Sequence, residues 1–176
     1  MPKKPMNFTF AAAMRLLMRH EGGFVNHPSD PGGMTCCGVT KASWDAHTGK
    51  SASEADMRAL TQEAVQPLYK ARYWDIIHGD ALPPGVDYCL FDCAVNSGPS
   101  RAVKLAQSVL HLQVDGSLGP KTLAAINAAD PNEFIEDYSQ RRLEFLKSLP
   151  TWATFGTGWS QRVSDVEIQS KSMQRE

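Results

Sequence analysis

His20-Glu21-Gly22-Gly23-Phe24-Val25-Asn26-His27-Pro28-Ser29-Asp30-Pro31-Gly32-Gly33-Met34-Thr35-Cys36-Cys37-Gly38-Val39-Thr40 joins two kinds of local structure, and its reading decides the rest of the chain. Upstream, Phe10, Met14, Leu17, Met18 and Glu21 recur at i, i+4, i+7, i+8 and i+11, the stripe of an amphipathic helix. Gly22-Gly23 ends that helix, because glycine takes the left-handed cap conformation without penalty. From Phe24 to Thr40 the prolines and glycines carry no helical period, which reads as a rigid, polar loop or small hairpin.

The same stretch carries chemistry. Glu21 falls at a helix C-terminus, where the partial negative charge of the helix dipole suits a group that is to hold and donate a proton. Asp30 follows on a loop whose prolines and glycines can turn the chain back toward it. Two converging carboxyl groups are the minimal equipment for cleaving a glycosidic bond: one protonates the leaving oxygen, the other activates water or steadies the developing cation. Thr35 and Thr40 add hydroxyls that can position that water. On spacing alone, Glu-Gly-Gly also reads as a helix stop and Asp-Pro-Gly-Gly as turn chemistry.

Beyond Thr40 the pattern is helical almost throughout. Thr40 caps a short helix from Lys41 to about His47 that Gly49 stops, and Ser53-Glu54-Ala55-Asp56 has the form of a capping box. Val65, Leu68, Tyr69 and Tyr73 mark a helix running to Trp74, with Pro67 kinking it or sitting in its first turn. After Leu82-Pro83-Pro84-Gly85, one helix reaches Gly98 and a second restarts at Pro99-Ser100. Gly119-Pro120 starts a helix through Ala128, Asp130-Pro131-Asn132 opens a long one with Ile135, Tyr138, Arg142, Phe145 and Leu149 on one side, and a last one runs from about Trp159. Strand-like alternation is nearly absent, so the class is all-α with a short loop or β-hairpin after the first helix.

With 18 Lys plus Arg against 19 Asp plus Glu among 176 residues, a net charge of −1 and 42% hydrophobic residues, the chain is neither disordered nor collagen-like. The balance argues against a nucleic-acid partner, which calls for a basic excess. Arg15 and Arg19 interrupt the first apolar stretch before it reaches a secretory segment or the ~20 residues of a membrane span. Synthesis in the cytoplasm without a signal peptide, export by another route, and no stable membrane insertion are therefore expected. The four cysteines, Cys36, Cys37, Cys89 and Cys93, lack the usual zinc-knuckle spacing and read as core thiols, so no metal and no cofactor are expected.

The run Glu-Gly-Gly-aromatic-Val-Asn followed by Asp-Pro-Gly-Gly-x-Thr-x-x-Gly-Val-Thr resembles the N-terminal signature of the glycoside hydrolase 108 family of N-acetylmuramidases. Tyr73-Trp74-Asp75, Leu82-Pro83, Phe91-Asp92-x-Ala94-Val95-Asn96-Ser97-Gly98, Gln107, Asp115-Gly116-x-x-Gly119-Pro120-x-Thr122 and Gly158-Trp159 match later family motifs in order. The resemblance implies a lysozyme-like fold and cleavage of the β-1,4 bond between N-acetylmuramic acid and N-acetylglucosamine. Glu21 becomes the proton donor, and the order of the broader phage-type lysozymes makes Asp30 the second carboxylate and Thr35 the water-positioning hydroxyl. It also implies one domain over 1–176, with a catalytic part over 8–85 and a helical part over 86–170 resembling a peptidoglycan-binding region. The partner is peptidoglycan in the periplasm or wall, reached through a holin or secretion machinery, and the chain is expected to be a monomer. Relatives include phage endolysins and secretion-associated muramidases.

Phe24 completes the set expected to meet substrate, with four others. Tyr73 and Trp74 read equally as sugar-stacking faces and as core anchors, Asn96 as a substrate hydrogen-bonder or a helix cap, and Gln107 as an N-acetyl contact or a partner for buried backbone. Arg141 and Arg142 read as a solvated helix face, or as contacts for the muramyl peptide carboxylates. Two other classes compete with the enzyme: a non-catalytic peptidoglycan-binding module that ignores Glu21, and a zinc-thiolate interaction protein that depends on the cysteines.

Overall fold

A computed structural model describes residues 6–29 and 32–175; for 6–8 and 175 it describes the backbone alone. It is mainly helical, with nine α-helices among the described residues and one two-stranded antiparallel hairpin. In chain order these are α1 (Met6–Leu17), β1 (Thr35–Cys36), β2 (Val39–Thr40), α2 (Lys41–Thr48), α3 (Glu54–Arg58), α4 (Gln62–Tyr69), α5 (Val86–Ser97), α6 (Pro99–Val109), α7 (Pro120–Ala128), α8 (Pro131–Lys147) and α9 (Trp152–Ser172). The chain forms two compact units, Met14–Arg72 and a second that joins the N-terminal residues through Ala13 to Tyr73 and everything after it.

In the Met14–Arg72 unit the local signals act as read. Thr40 Oγ1 accepts from Ser43 N at 3.2 Å at the start of α2, and Gly49 closes it. Ser53 and Asp56 exchange the two hydrogen bonds of a capping box at α3. Pro67 lies inside α4, which continues into a π-helical turn over Lys70–Trp74. The hairpin is not wholly polar: Cys36 and Val39 are buried, and Cys36 forms a small apolar cluster with Ala52 and Met57, against which Phe24, Met34, Cys37, Trp44 and Leu60 pack.

The second unit is built on α5, which packs against α6, α8 and α9. Nine consecutive residues from Val86 to Ala94 are buried, as expected of a helix enclosed on all sides. The strongest polar feature is at its centre. Asp92 Oδ2 accepts from Arg142 Nη1 of α8 at 2.8 Å, and Asp92 Oδ1 from Arg162 Nη2 of α9 at 3.0 Å. Burial alone would raise the Asp92 carboxyl, but the two guanidinium groups outweigh it and hold the carboxyl below its ordinary value. Arg142 is therefore not on a solvated face; its side chain is 2% exposed.

α9 begins at Trp152, seven residues before the expected start. Gly156 and Gly158 weaken helix propensity there, yet packing forms the helix. The Trp152 ring lies over Gly156 so closely that a Cβ would sit 2.6 Å from it.

Candidate active site

The hydrogen bonds of α1 continue past Leu17 as a tightening turn, Met18 N to Met14 O at 2.9 Å and His20 N to Leu17 O at 2.9 Å. Glu21 is the next residue, half-buried. Its surroundings come from the hairpin. Val25 and Thr35 bond reciprocally, N to O, at 2.7 and 2.8 Å, which ties the segment after Glu21 to β1.

The strands pair Thr35 with Thr40 and Cys36 with Val39, leaving Cys37-Gly38 as a two-residue loop. Both loop residues have positive φ, 51° and 74°, the condition for a type I′ turn whose twist suits a hairpin. Gly38 answers a second constraint: a Cβ there would lie 2.5 Å from Glu21 Oε2 and 2.4 Å from the Tyr69 hydroxyl. The carboxyl of Glu21, the phenol of α4 and the turn of the hairpin therefore converge on one bare backbone position. Tyr69 is buried and its hydroxyl donates to Cys37 O at 2.8 Å.

Sequence reasoning placed Tyr69 only on an apolar stripe and Gly38 only in a motif. The signal for both was the glycine between two short β-prone pairs, which permits the close approach that a side chain would block.

The alternation that buries Cys36 and Val39 puts Thr35 and Thr40 together on the opposite face of the hairpin. The Thr40 oxygen is engaged as the α2 cap. Thr40→Ala is expected to cost about 1 kcal/mol of stability, with Thr40→Ser restoring it; urea unfolding measures this, and glycan hydrolysis well below the transition should stay near wild type. A large fall in rate without a fall in stability would return Thr40 to the chemistry. Asp30 lies outside the described residues.

Phe24 packs on the Cys36 cluster, and the Arg58 guanidinium lies 4.0 Å over its ring, so a cation and the core already engage it. The neighbouring thiol of Cys37 is pushed up to about 11, first by burial and then by Cys36, and stays protonated at neutral pH. A depression of about 390 Å³ beside the hairpin is lined by Asn26, Gly32, Gly33, Met34, Lys41, Ala42 and Asp45, where Lys41 is ion-paired to Asp45.

The remaining candidates belong to the other unit, where Trp74 and Gln107 each take the second of the two readings given above. Trp74 is fully buried between Phe10 and Phe91, with ring centroids at 5.3 Å from each, and its Nε1 donates to Asp80 Oδ1 at 3.0 Å. A Gly79 Cβ would lie 2.4 Å from the indole, so this ring is enclosed and has no face for a sugar.

Gln107 is also buried and committed at both ends. Its Nε2 reaches Asp115 Oδ1, Ser117 O and Thr122 Oγ1, while its Oε1 accepts from Asp115 N and Gly116 N. It holds the loop after α6 in shape. Tyr73 is half-buried and Asn96 exposed. The cap of α5 is Gly98, whose N donates to Ala94 O at 2.8 Å, and Asn96 Oδ1 accepts from the Ser97 hydroxyl.

The cysteines divide likewise. Cys89 and Cys93 are buried on α5, the Cys89 thiol pushed up to about 12 by burial, and Cys36 and Cys37 are in the first unit. No cluster of three or more His, Cys, Asp or Glu suited to a metal occurs among the described residues. No described helix is long and apolar enough to cross a membrane.

Compared with known proteins, residues 14–98 match the glycosyl hydrolase 108 family and residues 101–164 match a predicted peptidoglycan domain. Among solved structures, SagA of Brucella abortus is 42% identical, with a TM-score of 0.85 over 97% of this chain and 98% of that one. No curated protein matches the chain.

Proposed function

Since the chain belongs to the glycosyl hydrolase 108 family and is a glycoside hydrolase acting on peptidoglycan, we propose that it is an N-acetylmuramidase, cleaving the β-1,4 bond between N-acetylmuramic acid and N-acetylglucosamine. The observation that carries this reading is Glu21 itself: a half-buried carboxyl just past the turn that closes α1, set against the hairpin turn at Gly38. Held there, Glu21 protonates the glycosidic oxygen as the C1–O bond breaks, and the sugar departs as an oxocarbenium-like species. Asp30 with Thr35 takes the second role, steadying that charge or aiming the water that ends the reaction.

The chain acts at the cell wall, reached through a holin or a secretion machinery, either to lyse a host cell or to open the wall for secretion. The cleaved bond is read from the ends of the products. Sacculi digested with the wild-type protein and then reduced with borohydride are expected to yield muropeptides ending in muramitol. Glucosaminitol or anhydromuramic ends would replace this reading with a glucosaminidase or a lytic transglycosylase.

A further inference from the structure

We infer that Tyr69 is a positioning residue for Glu21, its phenol oxygen serving as the fixed acceptor against which the carboxylic acid is held before it gives up its proton. The inference rests on the reading of Glu21 as proton donor, and adds to it a residue that neither the sequence motifs nor the chemistry above assigns.

Hydrogen-bond direction fixes the role of the phenol oxygen. A tyrosine hydroxyl has one hydrogen, and a backbone carbonyl can only accept. With Tyr69 Oη 2.8 Å from Cys37 O, the hydroxyl proton is pinned to that carbonyl, and the carbonyl is pinned in turn. Cys37 sits in the left-handed conformation of a two-residue turn, clasped by the Cys36 and Val39 pair and backed by the Val25 and Thr35 bonds.

The phenol oxygen therefore meets its other neighbour as an acceptor. The neighbour it faces across Gly38 is the Glu21 carboxyl: Oε2 and the phenol oxygen lie 2.5 and 2.4 Å from one point above that residue, and so no more than 4.9 Å from each other. An acceptor complements the O–H of a carboxylic acid and repels the lone pairs of a carboxylate. Tyr69 is buried at 1% exposure, so little water competes for the contact. When a glycan strand enters, the proton passes from Glu21 to the glycosidic oxygen, the C1–O bond breaks, and Tyr69 keeps its own hydrogen throughout.

The test uses the leaving group. Glycan strands need acid assistance, because a sugar alkoxide is a poor leaving group; an aryl glycoside of the same sugar sequence with an acidic phenol needs almost none. Tyr69→Phe keeps the buried ring and removes only the oxygen. It is expected to slow cleavage of glycan strands roughly 10–100-fold, less than the 10²–10⁴ of losing the general acid itself, and of the aryl glycoside by less than about threefold.

Equal losses on both substrates, which a merely structural role gives, or no loss on either, would overturn the inference. If Tyr69→Phe does not fold, 3-fluorotyrosine at position 69, which keeps the hydroxyl and weakens its oxygen as an acceptor, decides: a loss confined to glycan strands supports the inference, and unchanged rates on both substrates overturn it. Glu21→Gln run alongside separates the two readings: full activity there removes the proton donor itself, whereas an inactive Glu21→Gln beside a fully active Tyr69→Phe removes only Tyr69.

Discussion

Glu21→Gln is expected to lower the rate of peptidoglycan hydrolysis by roughly 10²–10⁴-fold, the span of a lost general acid, with the protein folded and still able to bind the wall. The amide matches the carboxyl in size but has no proton to deliver to a glycosidic oxygen. Glu21 is half-buried beside the hairpin, so the isosteric change disturbs little packing. Glu21→Asp keeps the acid but draws it back by one methylene from the position above Gly38 where Oε2 now lies. A misplacement on the order of 1 Å is enough to cost about 10²-fold. Turbidity loss of permeabilised Gram-negative cells, and release of soluble fragments from sacculi, measure both variants against wild type. Equal lysis by wild type and Glu21→Gln would sink the catalytic assignment and leave a wall-binding module.

The largest effect on stability is expected at Asp92. Asp92→Asn leaves the Arg142 guanidinium buried with its charge uncompensated, and Arg142 Nε and Nη2 already have no protein partner. Breaking a buried pair from one side costs about 3–5 kcal/mol, which for a chain of this size lowers Tm by about 10 °C. Removing the fully buried pair together is a different experiment: Asp92→Leu with Arg142→Met is expected to recover part of the loss, because the desolvation of the pair disappears with its attraction while the less buried Arg162 still loses its Asp92 contact.

The pair also has a pH signature. The native Asp92 carboxyl is held below its ordinary value, because Arg142 and Arg162 outweigh the upward push of burial. Its contribution is therefore present above the unfolded value of about 3.9 and lost as pH falls through the lower native one. Urea midpoints measured from neutral pH down into the acid range should fall for wild type and stay flatter for the double variant. Matching acid sensitivity in the two proteins would show that other carboxylates dominate.

What the sequence disclosed and what it withheld differ by range. Thr40, the Ser53 and Asp56 capping box, and the proline starts at Pro99, Pro120 and Pro131 act within four residues of themselves, and the structure follows them. Glu21 was expected on the helix itself, whereas α1 ends four residues earlier, at Leu17, and a turn carries the chain on to it.

Trp74 offered two equal readings, sugar-stacking face and core anchor, and its ring enters the core because its partners, Phe10 and Phe91, come from distant parts of the chain. Gln107 offered two readings that differ only in what lies across from it, and that is a loop and the first turn of α7, eight to fifteen residues on. Arg142 looked like one of two surface arginines because its partner, Asp92, lies 50 residues upstream. Tyr69 was hidden by rank: a buried tyrosine on an apolar stripe announces packing, and only the position of its oxygen beside Gly38 speaks for chemistry.

Asp92 waits for Arg162 across 70 residues, and Phe10 at the other extreme of the chain packs on Trp74 and Phe91. During synthesis from the N-terminus, the Met14–Arg72 unit can gather its own contacts as it emerges, whereas the helical unit stays open at both its first and last segments until α9 has been made. Its assembly is thus a late, long-range event of the kind that folds slowly. A ribosome stalled before Arg162 would hold a finished hairpin and an Asp92 still lacking one of its two arginines.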